Sequence, residues 1–253
     1  MTQLIFLHGF TNSSRSWSEI KNNINNPSIS FDCPGHGNNL IKDLSKPYTF
    51  EKWCEEFKNY LRKNKLNKIH LCGYSMGGRL AISFVSKYPK IIESLILIST
   101  TAGIKNKKQR KNKSQNENEI SNKIINDYPL FLKEWQNLDF FSKQRLRNPK
   151  AYKNQQKIRE NQNPHQLAYI MKNLGTGKMP NYWDIIPNFK FPTLIICGNE
   201  DKKYCSIGKK MNNNIPNSQL KIIQNSGHTP QIEQPNEVIK IINRFFKSRD
   251  FNY

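Results

Sequence analysis

The 253-residue sequence predicts an α/β fold, a mostly parallel sheet covered on both faces by helices and interrupted by a helical insertion. Three observations carry this. First, short apolar runs recur at 3–8 (QLIFLH), 28–33 (SISFDC), 68–73 (KIHLCG), 94–99 (SLILIS), 193–198 (TLIICG) and 219–224 (QLKIIQ). They are continuous rather than alternating, as in strands buried on both faces. Second, helix-period patterns separate them at about 14–25, 50–64, 76–87, 205–214 and 235–248, and strand–helix alternation builds parallel sheets. Third, the rhythm breaks between Ser99 and Thr193, a stretch rich in Lys, Asn and Gln. A structureless loop of that length is improbable in a compact domain. Helical patterns near 114–136, 150–162 and 164–174 mark it as an inserted cap. The expected division is 1–102 for the first part of the core, 103–190 for the cap and 191–253 for the rest of the core. The segment 105–119, KNKKQRKNKSQNENE, is low enough in complexity to be expected mobile.

Composition narrows the class. Forty Lys and Arg against nineteen acids give a formal charge of +21. The excess is mostly lysine spread along the chain, so a solvated surface is favoured over a nucleic-acid partner, and a field that draws in an anionic small molecule is the intermediate case. No apolar run approaches a membrane span. MTQLIFLHGF has neither a basic leader nor a cleavage site and reads as a strand, so a cytoplasmic protein without membrane insertion is expected. The five cysteines form no C-x-x-C pair; buried free thiols are expected, not disulfides or metal ligands. No H-E-x-x-H or Cys/His cluster suggests a metal. No sequence feature specifies an oligomeric state.

The chemistry sits in LCGYSMGGRL, residues 71–80. A strand leads in and a helix leads out, and Ser75 is flanked two positions either side by Gly73 and Gly77. A strand that turns abruptly into a helix forces a strained backbone at the turn, where bulkier neighbours would clash. The hydroxyl is thereby presented at the sheet's C-terminal edge beside a helix N-terminus. Two backbone donors complete such a site, here those of Met76 and, from the loop after the first strand, Phe10. A serine hydroxyl also needs a base, and the base an orienter. ICGNEDKKY places Glu200 and Asp201 just beyond a strand end, and NSGH places His228 beyond the last strand. Asp201 is taken as the orienter, Glu200 as the lesser candidate. His8 and His36, in LHGF and CPGHG, read as loop-shaping residues.

The blocks LHGF, DCPGHG, GYSMGG, GNED and SGH, in that order, resemble the α/β-hydrolase superfamily. That resemblance is specific for fold and triad and not for reaction. The usual two leading antiparallel strands have no counterpart, so the α/β-hydrolase sheet is expected to be trimmed at its N-terminal edge. GYSMGGR, IRENQNPHQLA (158–168) and LGTGKMPNYWDIIP (174–187) further resemble the family of 2-succinyl-6-hydroxy-2,4-cyclohexadiene-1-carboxylate synthases of the menaquinone and phylloquinone pathways. The resemblance implies a lyase that removes a proton and expels pyruvate, with Ser75 as base relayed to His228 and Asp201, and no cofactor. It implies a small polycarboxylate substrate held by Arg79 and Arg159, since guanidinium forks match carboxylates. Lys113 aligns with a family arginine, keeping the charge and losing the fork. Tyr74 and Trp135 are candidates to line the pocket, with packing an equally good account of Trp135. Trp183 reads as structural. Two other readings stay open, a carboxylester or thioester hydrolase and a non-catalytic basic nucleic-acid-binding protein.

Overall fold

The structure, a computed structural model, describes residues 2–138, 141 and 143–248. Six parallel strands form one sheet: β1 (Gln3–Leu7), β2 (Ser28–Phe31), β3 (Ile69–Tyr74), β4 (Ile92–Ile98), β5 (Thr193–Gly198) and β6 (Ser218–Ile223), in the order β2-β1-β3-β4-β5-β6. Every pairing between these strands is parallel, and among the described residues β1 is the first strand. It is the expected α/β architecture.

The continuous apolar runs are explained by burial on two faces. Leu4 and Phe6 of β1, Cys72 and Tyr74 of β3, Ile96 and Ile98 of β4 and Leu194 and Ile196 of β5 share one core. The alternate residues Ile5, Leu7, Ile69, Leu71, Leu95, Leu97, Ile195 and Cys197 share the other. The period of two is thus present, with both sets apolar. The first face is covered by α1 (Ser18–Asn23) and α11 (Pro235–Lys247), whose Val238, Ile242 and Phe245 recur at helical spacing. The second is covered by α2 (Phe50–Lys63), α3 (Met76–Lys87) and α9 (Lys202–Asn214). Helix α2 shows why sequence becomes structure here: Thr49 accepts a hydrogen bond from the Lys52 amide as N-cap, and Phe50, Trp53, Cys54, Phe57 and Leu61 form one buried stripe. All five cysteines are buried and free.

Between β4 and β5 lie α4 (Lys107–Asn126), α5 (Tyr128–Gln136), α6 (Gln144–Arg147), α7 (Pro149–Glu160) and α8 (Pro164–Leu174). Two expectations are corrected here. The segment 105–119, expected mobile, is the start of the long helix α4. Asn106 caps it through the Gln109 amide, and its Glu117, Ser121 and Ile124 are buried against α8, where Ser121 Oγ donates to the Ala168 carbonyl at 2.9 Å. The single helix expected over 114–136 is two, because Asp127 leaves helical geometry (φ −154°), caps α5 through the Leu130 amide, and Pro129 sits in the new first turn. A small separate core of Ile124, Phe131, Leu132, Leu167, Ala168 and Met171 holds these helices together. A short helix α10 (Pro230–Glu233) precedes α11. Among the described residues no helix is long and apolar enough to cross a membrane.

Candidate active site

Ser75 ends β3 and starts α3 with φ 50° and ψ −106°, a conformation a side-chain-bearing residue rarely adopts. The glycines explain how it is tolerated. A Cβ on Gly73 would lie 2.4 Å from the Gly77 carbonyl oxygen, and one on Gly77 would lie 2.2 Å from that of Leu7. The strain is held by the Ser75 amide donating to the Ile98 carbonyl at 2.9 Å and by Thr100 Oγ1 donating to the Ser75 carbonyl at 2.8 Å.

The triad partners arrive on loops after β5 and β6. Ser75 Oγ–H donates to His228 Nε2 at 3.1 Å, and His228 Nδ1–H donates to Asp201 Oδ2 at 2.6 Å. Asp201 is the N-cap of α9 and its other oxygen accepts the Tyr204 amide at 3.1 Å, so one carboxylate starts a helix and orients the imidazole. Glu200, the lesser candidate, points elsewhere: it binds Lys143 and Arg147 at α6. Met76 is the first residue of α3, where amides lack intrahelical acceptors. Phe10 lies just past β1. Both line the same cavity as Ser75.

His8 and His36 fix that β1 loop. His8 Nε2 accepts the Cys33 amide at 2.9 Å and His36 Nε2 accepts the Thr11 amide at 3.2 Å. Both imidazoles are buried, and burial lowers their pKa values to about 4 and about 3, so they are neutral acceptors. Asp32 binds the Ser14 and Asn38 amides, and those bonds hold its pKa below the ordinary carboxylate value against the opposing effect of burial, which is the largest single influence.

The cavity is about 1150 Å³ and lies between the strand ends and helices α4, α5 and α8. Its lining includes Tyr74, Ser75, Met76, Phe10, Arg79, Lys113, Trp135 and His228. Six lining side chains are cationic (Arg79, Lys105, Lys113, Lys202, Lys203 and Lys210) against three carboxylates, Glu117, Glu200 and Asp201, each already engaged by protein groups. Arg79 is half-buried; one Nη1–H donates to the Leu174 carbonyl at 2.9 Å, and burial pulls its pKa down. Lys113 lies 3.7 Å from Glu117; burial lowers its pKa too. Trp135 has a buried Nε1–H without a partner among the described residues, a feature packing alone would leave unexplained.

Arg159 departs from expectation. It is 1% exposed, and its guanidinium rests over the Phe141 ring at 5.4 Å. Phe141 lines the cavity and Arg159 does not. Its Nε and Nη1 have no partner among the described residues, an expensive state for a buried cation.

Sequence reasoning missed three contributors. Tyr204 packs against His228 with ring centroids 4.6 Å apart; its place in the first turn after the Asp201 cap was the available signal. Phe141 packs against the same imidazole at 5.8 Å. Glu117 accepts the Thr176 and Gly177 amides at 2.7 and 2.9 Å, shaping the loop whose Leu174 carbonyl holds Arg79. Trp183, read as structural, donates Nε1–H to the Gly103 carbonyl at 2.9 Å and also reaches the lining.

Residues 2–235 match the family described as the alpha/beta hydrolase fold. The chain belongs to the α/β-hydrolase family. Within it, a protein of Bacillus subtilis strain 168 named as a 2-succinyl-6-hydroxy-2,4-cyclohexadiene-1-carboxylate synthase is 34% identical, over 97% of this chain and 90% of that one. The solved structure of MenH from S. aureus superposes with a TM-score of 0.90 at 34% identity, covering 98% of this chain and 94% of that chain. The chloroplastic protein PHYLLO of Arabidopsis thaliana is 24% identical over 95% of this chain, which spans only 15% of that longer protein. Family membership accounts for the elbow, the triad order and the strand order; the cap and the cations must account for the reaction.

Proposed function

We propose that this α/β hydrolase is a lyase, a 2-succinyl-6-hydroxy-2,4-cyclohexadiene-1-carboxylate synthase acting in menaquinone or phylloquinone biosynthesis. The observation that carries the proposal is the assembled triad opening into a cavity where Arg79, Lys202, Lys203 and Lys210 have no ion pair among the described residues while every lining carboxylate is engaged. An ester hydrolase needs the triad but has no need of fixed cations beside its serine. A substrate with several carboxylates does.

The reaction can be followed by atoms. The substrate, 2-succinyl-5-enolpyruvyl-6-hydroxy-3-cyclohexene-1-carboxylate, loses the proton on ring carbon 2, acidified by the adjacent succinyl ketone. Ser75 Oγ takes that proton as its own passes to His228 Nε2, and Asp201 stabilises the imidazolium through Nδ1–H. The C–H electron pair becomes the 2,3 double bond, the old 3,4 double bond moves to 4,5, and the bond from carbon 5 to the enolpyruvyl oxygen breaks. The departing enolpyruvate takes a proton at carbon and leaves as pyruvate. The ketone oxygen gains charge while the proton is in transit, and the Phe10 and Met76 amides are the donors placed to meet it; such a donor contributes about 3–4 kcal/mol. No acyl-enzyme forms and no cofactor is required.

Arg79 holds one substrate carboxylate by its free guanidinium edge. Arg159, with two unpartnered donors, takes another once the Phe141 ring turns aside. Lys113 supplies charge without a fork, and Tyr74 and Trp135 shape the ring pocket. Residues 103–190 act as the cap over a core made of 1–102 and 191–253. The +21 charge serves solubility and steering rather than nucleic acid, and the protein works in the cytoplasm. Incubating the purified protein with the intermediate and assaying pyruvate tests the proposal. Release by wild type and none by a folded Ser75→Ala protein is expected; equal release by both would refute the mechanism.

A further inference from the structure

The His228 imidazole is packed by a side chain whose hydroxyl has no part in the triad. Tyr204 stands in the first turn of α9, just past Asp201. Its amide donates to Asp201 Oδ1 at 3.1 Å, the oxygen that His228 does not use. Its carbonyl accepts the Cys197 Sγ–H, from β5, at 3.3 Å. The main chain is thus fixed from the triad and from the sheet, and the ring packs on the imidazole with centroids 4.6 Å apart. Other packed tyrosines use their hydroxyls within the protein: Tyr48 donates to Glu56, Tyr128 to the Arg159 carbonyl and Tyr152 to Gln136. The Tyr204 hydroxyl has no hydrogen-bond partner among the described residues and is not one of the sealed-off polar atoms; the residue lines the cavity.

The charged groups that act on its phenol are Arg79, Asp201 and Glu117, each a lining residue. Asp201 is engaged by His228, and Glu117 by the Thr176 and Gly177 amides. Arg79 has only the Leu174 carbonyl and no carboxylate among the described residues. Burial is the largest influence on the phenol and raises its pKa, so at neutral pH it is protonated and a donor. Arg79 follows Ser75 by one helical turn, its amide donating to the Ser75 carbonyl at 3.1 Å. A phenol O–H from α9, packed on His228, and a guanidinium from α3, one turn from Ser75, are two donors that suit one carboxylate. Of the carboxylates of the proposed substrate, the one on ring carbon 1 adjoins carbon 2, whose proton Ser75 takes.

We infer that Tyr204 is a specificity-determining residue, its hydroxyl donating to the ring carboxylate on carbon 1 that Arg79 also holds. That bond sets carbon 2 beside Ser75 Oγ. The inference rests on the polycarboxylate reading above and adds to it the residue that recognises one particular carboxylate.

The test varies ligand and protein together. Two stable probes are titrated by calorimetry. One is 2-(3-carboxypropanoyl)benzoate, which carries the product's ketone and both of its carboxylates on an aromatic ring. The other is 4-oxo-4-phenylbutanoate, which lacks only the ring carboxylate. Tyr204→Phe keeps the ring against His228 and removes the donor. It is expected to weaken the first probe about 10-fold, the lower end for a hydrogen bond to a charged group, and to leave the second unchanged. Arg79→Lys is expected to discriminate between the probes in the same direction. For pyruvate release, kcat/KM should fall in Tyr204→Phe by a factor like that for the first probe. Wild-type affinity of Tyr204→Phe for the first probe would overturn the inference. So would equal weakening of both probes, the mark of a merely structural role, or a wild type that binds the two probes equally. A wild type that shows the Tyr204-dependent preference for the ring carboxylate but releases no pyruvate would sink the lyase reading and keep the subsite. Pyruvate release by wild type with no such preference would do the reverse.

Discussion

Ser75 and Arg159 are both functional candidates under strain, of different kinds. Ser75 pays in backbone geometry, a positive φ held by two glycines and by bonds to Ile98 and Thr100. Arg159 is a buried cation with two unpartnered donors, resting on the Phe141 ring. The first kind of strain is met within the protein: the core loops bring Asp201 and His228 to Ser75, bonded to it and to each other. The second is not met by any group among the described residues. The core loops present an assembled Ser-His-Asp set, and around it Arg79 of α3 and Lys202, Lys203 and Lys210 of α9 line the cavity without an ion pair among the described residues. The same triad can serve an esterase or a lyase, so the proposed choice between them rests on the charged residues around it.

The largest effect should come from breaking the assembled set. His228→Ala removes the acceptor of the Ser75 proton and is expected to lower kcat for pyruvate release by roughly 10²–10⁴-fold, with the far-ultraviolet spectrum and melting temperature near wild type. Full activity in that variant would place the base elsewhere.

The charged surroundings are broken more gently. Arg79→Lys and Arg159→Lys keep the charge and lose the planar fork, so they probe geometry rather than field. Each is expected to cost roughly 10- to 150-fold in kcat/KM, the worth of one charge-assisted hydrogen bond. If the forks also align the proton with Ser75, kcat falls as KM rises. Steady-state kinetics of both variants decide this, and wild-type constants would remove the main reason to prefer a polycarboxylate substrate.

The two halves differ also in how much of each the sequence discloses. The elbow, the triad and the strand order are legible because backbone geometry demands particular residues there: a Cβ at Gly77 would overlap the Leu7 carbonyl oxygen, and Asp201 must cap a helix while facing a histidine. The cap carries no such demand. Helix α4 begins in a lysine- and asparagine-rich stretch with no apolar stripe, and what orders it is a buried carboxylate, Glu117, meeting amides of the 174–178 loop sixty residues on. Arg147 is silent for the same reason, since Glu200, which it binds, lies 53 residues on in the chain. Whether Arg159 meets substrate depends on the place of Phe141, which no local pattern encodes.

Acid should separate core from cap by a third route. His8 and His36 are neutral in the folded core, with pKa values near 4 and 3, while the unfolded chain protonates them near 6.5. Their contribution to stability is fully present above pH 6.5 and is lost as pH falls from there toward 4, because the unfolded state binds protons first. Stability measured by denaturant titration should therefore fall over that window, and His36→Gln should make the fall shallower by about one proton. A slope unchanged by the substitution would show that His36 is not held neutral.

The smallest effect should come from screening. If the cavity-lining lysines 202, 203 and 210 merely draw the substrate in, raising ionic strength from 0.05 to 0.5 M (an order-of-magnitude span) should raise KM about several-fold and leave kcat unchanged. A change in kcat instead would mean that these charges act on the bound state.

The central claim is that this triad, in this cavity, removes a proton from a polycarboxylate rather than attacking an ester. It is tested most directly by measuring, on one preparation, kcat/KM for pyruvate release from 2-succinyl-5-enolpyruvyl-6-hydroxy-3-cyclohexene-1-carboxylate and kcat/KM for hydrolysis of a neutral p-nitrophenyl ester. The account predicts efficient pyruvate release and little ester turnover, both lost in Ser75→Ala. Efficient hydrolysis of the ester with no pyruvate from the intermediate would contradict it.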